Sequence, residues 1–369
     1  MQENIESKDI KVAISHGDYN GIGYEVIIKT FANPEMLSLC TPIIYGSSKL
    51  ASFHKKVIED NFTQFNLVRN STEAVTNRLN MVNIYFQEAK VQLGTSSPLA
   101  GELAHLALEH ATADLLNSSV DVLVTAPINK DNIQSAKFNF HGHTEYLADK
   151  FKAAEVLMFL VCDNLRIGVV TGHIAIKDVA TTITKDLIVT KLKIMIASLK
   201  RDFGIRKPKI AVLGLNPHSG DNGLIGKEEI EIISPAIKEM SDSRELVFGP
   251  FSADGFFASG KHSQFDAVLC MYHDQGLVAF KILAFDSGVN FTAGLPIVRT
   301  SPDHGTAYDI AGKGIANPDS FKAAVYLALD IYRNRKTYDE INANPLKYSS
   351  KNDKGKDESI NPFSEEINL

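Results

Sequence analysis

The sequence predicts an α/β protein made of two α/β/α lobes with largely parallel sheets and a cleft between the lobes. Two observations support this fold class. Short apolar segments bounded by Gly, Pro, Asn or Asp alternate with longer amphipathic segments along most of the chain, as strands alternating with helices do. The chain also has 369 residues, which is more than one ordinary hydrophobic core accommodates, so we expect two domains.

The apolar segments give the predicted strands, and the amphipathic segments give the helices. Several strands are β-branched and lack polar alternation, as expected when both faces of a sheet are covered. The predicted strands are Lys11–Ser15, Pro42–Tyr45, Val120–Thr125, Arg166–Thr171, Lys209–Leu215 and Ala267–Met271. The predicted helices are Gly23–Phe31, Glu102–Leu116, Asp186–Arg201, Lys227–Met240 and Pro318–Arg333. Residues 60–100 are less regular and receive no assignment.

The composition argues against several classes of protein. A formal net charge of −6 and a pI near 6.0 argue against a nucleic-acid partner, which usually needs a basic face. No apolar run approaches the length of a membrane span. Three cysteines without CxxC spacing favour a reducing compartment, and the charged first ten residues contain no signal-peptide pattern. We therefore expect a cytoplasmic protein with neither a nucleic-acid nor a membrane partner.

Three histidines follow three of the predicted strands directly. His173, His218 and His273 each come just after the carboxyl end of an apolar segment, where open α/β sheets bind their ligands. Neutral imidazole is a common ligand of divalent metals, and a catalytic metal site typically has three protein ligands. Loop histidines that only cap strands would give the same pattern, so both interpretations stay open at this point.

Candidate anion-binding residues lie in two further regions. The segment from His141 to Glu145 stands at a predicted loop-to-helix junction, where Thr144 would cap the helix while His143 and free backbone N–H groups face an anion. A plain helix cap is the alternative. Lys281, Asn290 and Arg299 lie in otherwise apolar or Gly-rich segments, where a cation is costly to bury unless it is paired or reaches solvent.

Familiar nucleotide and nucleophile motifs are missing. The loop from Gly17 to Gly23 opens a helix after the first strand, but its spacing is not GxGxxG. The sequence contains neither GxxxxGK[ST] nor GxSxG, so it supports neither a P-loop nor a hydrolase nucleophile elbow.

Several separated motifs together resemble the 4-hydroxythreonine-4-phosphate dehydrogenase family over about residues 10–335. They are GDYNGIGYE at 17–25, TAPINK at 125–130, GHTEYLA at 142–148, TGHIAIKDV at 171–179, GLNPHSGDNGLIGKEE at 214–229, GPFSAD at 249–254, MYHDQGLVAFK at 271–281 and GVNFTAGLPIVRTSPDHGTAYDIAGKG at 288–314. The part of the last motif from His304 to Gly314 also looks like the adenosine-side loop of isocitrate and isopropylmalate dehydrogenases. The chain departs from the family at Tyr19, Asn20 and Tyr24, where the family often has Pro, Ala and Pro.

The resemblance implies a role for each candidate residue. By this reading the divalent-metal ligands are His173, His218 and His273, the substrate-binding residues are His143, Thr144, Lys281, Asn290 and Arg299, and the cofactor-binding residues are His304, Gly305, Thr306 and Asp309. Lys281 is the candidate base, provided that burial depresses its pKa, and His143 is a further candidate catalytic residue.

The implied activity is NAD-dependent and metal-dependent oxidation and decarboxylation of 4-phosphooxy-L-threonine. The products are 3-amino-2-oxopropyl phosphate, CO2 and NADH, in pyridoxal 5′-phosphate biosynthesis. NADP in place of NAD, and Zn, Co or Mg as the one divalent metal per site, are left open. The alternatives are a dehydrogenase of phosphorylated threonate or erythronate, a non-catalytic protein that binds a phosphorylated ligand, and an acyltransferase resembling phosphotransacetylase.

The positions of the candidate residues indicate how the chain is divided, and the resemblance implies how it is assembled. We expect one lobe from residues 1–130 plus 305–335, a second lobe from 131–304 with the metal and substrate residues, and a polar tail over 336–369. We further expect a homodimer with a shared active site, in which His273 faces the other two metal ligands across the interface.

Overall fold

The computed structural model describes residues 9–284 and 286–344, and these form strands and helices in alternation. The strands are β1 Lys11–Ser15, β2 Thr41–Gly46, β3 Phe65–Val68, β4 Leu79–Asn83, β5 Val122–Thr125, β6 Leu157–Cys162, β7 Leu165–Val169, β8 Lys209–Leu213, β9 Leu246–Phe251, β10 Ala267–Cys270, β11 Val289–Ala293 and β12 Arg299–Pro302. The α-helices are α1 Gly23–Phe31, α2 Pro34–Leu39, α3 Ser48–Val57, α4 Pro98–Leu116, α5 His143–Lys150, α6 Ile176–Thr182, α7 Lys185–Arg201, α8 Ser234–Asp242, α9 Ala253–Ala258, α10 His273–Leu283 and α11 Asp319–Asn342.

These strands form one twelve-stranded sheet in the order β3-β4-β2-β1-β5-β12-β11-β6-β7-β10-β8-β9. Pairing is parallel from β3 to β12 and again from β7 to β9. The three steps between these groups, from β12 through β11 and β6 to β7, are antiparallel. Because that number of reversals is odd, the two parallel groups run in opposite directions.

The predicted α/β class and the largely parallel pairing are confirmed. The expectation of two separate sheets needs correction, because β6 and β11 pair with each other and join the two parallel groups into one continuous sheet. This pairing satisfies backbone groups that would be exposed as two sheet edges if the groups were separate. The division into two lobes remains a prediction.

Most predicted elements agree with the structure to within a few residues at their ends, and β1 and α1 agree at both ends. Residues 60–100, left unassigned, contain β3 and β4. The helix predicted over Lys227–Met240 is instead a π-helical turn, Glu229–Ile233, followed by α8, which has a proline in its first turn. Helix α11 continues through Asn342, so the start of the predicted polar tail is helical; the part of that prediction beyond residue 344 lies outside the described residues.

The side chains that depart from the family pattern are buried. Asn20 accepts a hydrogen bond from the Gln92 amide (2.8 Å) and donates to the Thr95 carbonyl (2.9 Å), so its side chain fastens the segment before α4 to the first loop. The Tyr24 ring stacks between His16 and His54, with ring centroids 5.0 and 5.2 Å away. These residues fill the core beside β1, at positions where the family often has prolines and alanine. The hydrogen bonds of Asn20 hold the loop that carries them in place.

The two stacked histidines make protein stability dependent on pH. Burial lowers the pKa of both His16 and His54 from 6.5 to about 4, so both are neutral in the folded protein. The unfolded chain binds a proton at each histidine below about pH 6.5, so stability is present above that pH and is lost as the pH falls towards 4. Between pH 7.5 and 5, each histidine should reduce the free energy of unfolding by about 2 kcal/mol.

The measurement is urea unfolding at pH 7.5 and pH 5 for the natural chain and for His54→Gln. Glutamine can still donate to the Tyr19 carbonyl, which the His54 ring contacts at 2.7 Å, but it does not titrate. The variant should therefore lose about 2 kcal/mol less stability than the natural chain over this interval. An equal loss in both proteins would contradict the assignment.

Candidate active site

A cavity of about 300 Å³ lies beside the antiparallel strands β6 and β11, between the two parallel groups. One part of its wall follows β5 and β12, over residues 125–130 and 301–305. Another part follows β7 and β10 and contains His173 and His273. Because the two parallel groups run in opposite directions, carboxyl ends of strands meet the cavity from both of its sides.

Arg299 supplies a buried positive charge at the cavity. It begins β12, is 3% exposed, and donates through Nε and Nη2 to the Thr125 hydroxyl at 3.1 and 2.7 Å. Nη1 lies 3.4 Å from the Thr292 hydroxyl. Burial lowers the pKa of the guanidinium to about 10, with Glu145 opposing the shift, so Arg299 stays charged at neutral pH. Within the described residues its hydrogen bonds go to neutral hydroxyls, which leaves the charge available for an anion.

Three predicted site residues present buried polar atoms that find no hydrogen-bond partner in the described part of the chain. They are Nε2 of His143, Oδ1 of Asn290 and Nε2 of His304, and all three residues line the cavity. Burial, and after it the charges of Arg299 and Lys130, lower the pKa of His143 well below 6.5, so its imidazole is neutral. Because buried polar atoms are normally paired, these three indicate where a polar ligand would bind.

The capping role predicted for Thr144 is wrong. The cap residue of α5 is Gly142, whose backbone is extended (φ 168°, ψ −166°), and no side chain caps the helix. Thr144 lies inside the first turn, and its hydroxyl is 3.5 Å from that of Thr292 on β11. Thr144 still lines the cavity, next to the hydroxyl that Arg299 contacts.

Lys281 also lines the cavity, but it is exposed. The prediction that burial makes it a base is therefore not met in the single chain, because its side chain reaches solvent from the last turns of α10. Its charge acts on two buried neighbours: it lowers the pKa of Asp303, which burial raises more strongly, and it contributes to the lowered pKa of His304.

The three candidate metal ligands follow strands β7, β8 and β10, which are neighbours in the sheet, but one chain brings only two of them together. The ring centroids of His173 and His273 are 5.5 Å apart. His218 lies in a second cavity of about 310 Å³, with Ser252, Asp254 and Tyr272. Over residues 9–284 and 286–344, no group of three or more His, Cys, Asp or Glu side chains is positioned to hold a metal.

The separation of the first two rings suits a shared metal. Two imidazoles on one tetrahedral zinc, with Zn–N near 2 Å, have ring centroids roughly 5 Å apart. Nδ1 of His273 contacts the Asp274 carboxylate at 2.7 Å, which leaves Nε2 for a ligand and orients the ring. The structure thus places His273 near His173 inside one chain. That a subunit interface separates His273 from the other two ligands of a site stays a prediction.

The residues predicted to bind the cofactor divide into two pairs. His304 and Gly305 line the cavity, whereas Thr306 and Asp309 lie farther along the loop and are not part of its lining. The Thr306 carbonyl accepts a hydrogen bond from the Ile22 amide at 3.0 Å. Asp309 is exposed.

Three charged cavity residues were not singled out from the sequence: Lys130, Glu145 and Asp303. Nζ of Lys130 is 3.4 Å from Nε2 of His173, and a Glu145 carboxylate oxygen is 3.9 Å from Nδ1 of the same ring. The contact with His173 lowers the pKa of Glu145. Each of the three belongs to a motif that carries the family resemblance, so a charged residue inside a Gly-, Pro- or His-containing motif was the available signal.

Fold and cavity together define an α/β enzyme with cations for an anionic substrate and a pair of imidazoles near them. Residues 38–328 match the family model described as pyridoxal phosphate biosynthetic protein PdxA. The chain belongs to this family and is an oxidoreductase. In the described part of the chain, no helix combines the length and apolar character needed to span a membrane.

Similar proteins agree with this assignment. A protein of Bacteroides thetaiotaomicron named 4-hydroxythreonine-4-phosphate dehydrogenase is 51% identical over 356 residues, which cover 95% of this chain and 98% of the relative. A D-threonate 4-phosphate dehydrogenase of Pectobacterium atrosepticum is 36% identical and covers 87% of this chain and 98% of the relative. The crystal structure of the 4-hydroxythreonine-4-phosphate dehydrogenase from Klebsiella pneumoniae has a TM-score of 0.76 at 34% identity, covering 89% of this chain and 99% of that one.

Proposed function

We propose that the protein oxidises and decarboxylates 4-phosphooxy-L-threonine with NAD as hydride acceptor, in the cytoplasm and on the route to pyridoxal 5′-phosphate. The observation that carries the proposal is the buried charge of Arg299, which hydrogen-bonds to neutral hydroxyls and lies in a cavity with unpaired polar atoms of His143, Asn290 and His304. A substrate with a phosphate, a hydroxyl and an amino group would satisfy such a set. The 51% identical relative carries the corresponding name.

The residues of the cavity have separate tasks in this proposal. Arg299, with Thr144 beside it, binds an anionic group of the substrate, and neutral His143 and Asn290 hydrogen-bond to it. Anchoring the anion away from the reacting carbon uses binding energy to orient the hydroxyl. Lys281, covered by the bound substrate, accepts the hydroxyl proton, while His304 and Gly305 adjoin the nicotinamide end of the cofactor. Lys130 supplies a positive charge for the enolate formed when CO2 leaves.

A divalent metal fits this arrangement if a second copy of the chain takes part. His173 and His273 would hold it from one chain, and His218 would complete the set from the other. When bound, the metal acts as a Lewis acid that polarises the substrate's hydroxyl. Zinc, cobalt and magnesium are the three candidates for the native metal.

A second copy is also favoured by the surface around these histidines. Eight apolar side chains near the His173 loop, the outer face of α10 and the segment after His218 are exposed; they are Ile174, Ile176, Leu224, Ile225, Ile230, Val278, Ile282 and Leu283. Exposed apolar side chains in such numbers beside a functional site are typical of a protein–protein contact. A two-fold dimer through this face would build two equivalent sites.

The test is NADH production from 4-phosphooxy-L-threonine, with and without a chelator, and with NADP in parallel. We expect turnover with NAD that a chelator abolishes and that added divalent metal restores. Phosphorylated D-threonate is the competing substrate, because the Pectobacterium relative is named for it. A higher kcat/KM with phosphothreonate would overturn the substrate assignment, and absence of reduced nicotinamide with either substrate and any metal would overturn the dehydrogenase assignment.

A further inference from the structure

Asp18 is a buried carboxylate outside the cavity lining. It is 0% exposed and lies in the turn between β1 and α1. One carboxylate oxygen accepts a hydrogen bond from the Asn20 amide at 2.8 Å. The other accepts two, from the Asn132 side-chain amide and from the Tyr308 hydroxyl, both at 2.7 Å. These donors are all neutral, and a buried carboxylate held by neutral donors is costly, so its retention calls for a reason.

The two donors to the second oxygen come from two different segments that line the cavity at their nearer ends. Asn132 follows residues 125–130, which form the wall after β5. Tyr308 follows His304 and Gly305 in the loop after β12. A single carboxylate oxygen therefore connects the substrate-side wall, defined here as residues 125–133, with the cofactor-side loop, residues 304–316.

Backbone contacts draw both segments against the same turn. The Asp18 amide donates to the Pro127 carbonyl at 2.8 Å, and the Ile22 amide donates to the Thr306 carbonyl at 3.0 Å. A Cβ on Gly17 would lie 2.2 Å from the Pro127 carbonyl oxygen, and a Cβ on Gly21 would lie 2.6 Å from that of Thr306. The glycines of this turn thus allow each of the two segments to approach the turn closely.

The far end of the cofactor-side loop is hydrogen-bonded to α1, the helix that follows this turn. Nζ of Lys29 on α1 donates to the carbonyls of Gly314 and Ala316 at 2.9 and 2.8 Å. Glu25 accepts from Lys29 at 2.7 Å and from the Ala316 amide at 2.9 Å. Both ends of the loop are therefore fixed, and Asp18 holds its middle through Tyr308.

We propose that Asp18 is a positioning residue that couples the substrate-side wall to the cofactor-side loop, so that substrate and nicotinamide are held in register. It touches neither ligand and acts through Asn132 and Tyr308. The proposal rests on the proposed function for its kinetic consequence only; the coupling itself is a property of the protein without ligands.

Three variants separate the two connections. Asp18→Asn keeps the shape, but a neutral amide oxygen accepts hydrogen bonds more weakly than a carboxylate and the N–H₂ group faces at least one donor, so both connections weaken. Tyr308→Phe removes only the connection to the cofactor-side loop. Tyr332→Phe is the matched control, because the Tyr332 hydroxyl donates to Asp121 at 2.8 Å and neither residue lines the cavity.

Amide hydrogen exchange of the ligand-free protein is the first readout. Tyr308→Phe should speed exchange in residues 304–312 about tenfold and leave 125–133 unchanged, whereas Asp18→Asn should speed exchange in both segments. Tyr332→Phe should change neither. The second readout is steady-state kinetics: Tyr308→Phe should raise KM for the nicotinamide about fivefold with the substrate KM unchanged, while Asp18→Asn should raise both and lower kcat about tenfold.

The results distinguish failure of the coupling from failure of the proposed function. If Asp18→Asn changes exchange in neither segment or in only one, or if Tyr308→Phe changes both segments equally, the coupling is refuted. If the exchange pattern is as expected but the natural chain produces no reduced nicotinamide, the coupling stands and the proposed function fails. If Asp18→Asn fails to fold, the comparison of Tyr308→Phe with Tyr332→Phe still tests the coupling, because Tyr308→Phe leaves the Asp18 carboxylate in place.

Discussion

Replacing Arg299 with Leu should lower kcat/KM for the phosphorylated substrate by about 10²- to 10³-fold, because losing one partner of a buried charge pair costs about 3–4 kcal/mol. Arg299→Lys should recover part of this loss, since lysine keeps the charge but cannot offer two parallel N–H groups to an anion. Neither change should lower the free energy of unfolding much, because the hydrogen-bond partners of the guanidinium are the neutral hydroxyls of Thr125 and Thr292.

A second buried arginine provides the matched control. Nε of Arg335 lies 2.6 Å from the Asp202 carboxylate, and both side chains are buried away from the cavity. Arg335→Leu leaves an unpaired buried carboxylate and should lower the free energy of unfolding by about 3 kcal/mol without changing KM. Substrate titrations and urea unfolding of both variants give the comparison. Equal loss of kcat/KM in the two variants would mean that Arg299 has a general structural role and no specific one.

Some of the missed strands lack the apolar pattern that identified the others. β1, β5 and β10 are largely buried and mostly apolar, so the hydrophobic pattern identifies them directly. β12 has the sequence Arg-Thr-Ser-Pro and gives no apolar signal, because its side chains serve the cavity and its neighbours. β11 alternates Asn290 and Thr292 with apolar residues over only five positions. Such strands are fixed by their partners in the sheet, which a local pattern does not contain.

The relative direction of the strands could not be predicted from local sequence patterns either. The three antiparallel steps through β11 and β6 make the two parallel groups run in opposite directions, and they join these groups in one sheet. The sequence places candidate residues just after the carboxyl ends of strands, but it does not show that these ends face one another. The cavity receives residues after β5 and β12 from one side and residues after β7 and β10 from the other.

For the site, residue types were easier to predict than their environments. The structure brings His143, Thr144, Lys281, Asn290 and Arg299 to one cavity, together with His173 and His273. The sequence did not reveal that Arg299 is buried while Lys281 is exposed, although both lie in apolar surroundings along the chain. Exposure depends on the length of the helix or strand and on what covers it in three dimensions, and neither is encoded in a five-residue window.

The histidines provide the second prediction with a large effect. Replacing any one of His173, His218 and His273 with Ala should reduce turnover by orders of magnitude and should also reduce the amount of bound metal. The fold should be kept, because the three side chains lie beyond strand ends and their removal leaves no core cavity. Metal content measured on the purified protein checks the assignment independently of activity. If all three variants retain near-normal turnover after careful removal of metal, the site is misassigned.

Mixing inactive variants then decides which chain supplies which ligand. The structure pairs His173 with His273 in one chain, so we expect His218 to come from the second copy. When His173→Ala and His218→Ala chains exchange subunits, each mixed dimer then has one doubly defective site and one intact site. Random equal mixing makes half of the dimers mixed, so roughly a quarter of the natural activity should return, by two-fold symmetry.

Mixing His173→Ala with His273→Ala is the opposite case. If both ligands of a site belong to the same chain, every site in such a mixed dimer lacks one ligand, and no activity should return. The family resemblance implied the other arrangement, in which His173 and His218 share a chain and His273 comes from the partner. The two results would then be reversed. The mixture of His173→Ala with His273→Ala would recover a quarter of the activity, and the mixture of His173→Ala with His218→Ala would recover none. Recovery in neither mixture, with subunit exchange verified by differently tagged chains, would mean that all three histidines act within one chain and that the His218 loop must close towards the other two.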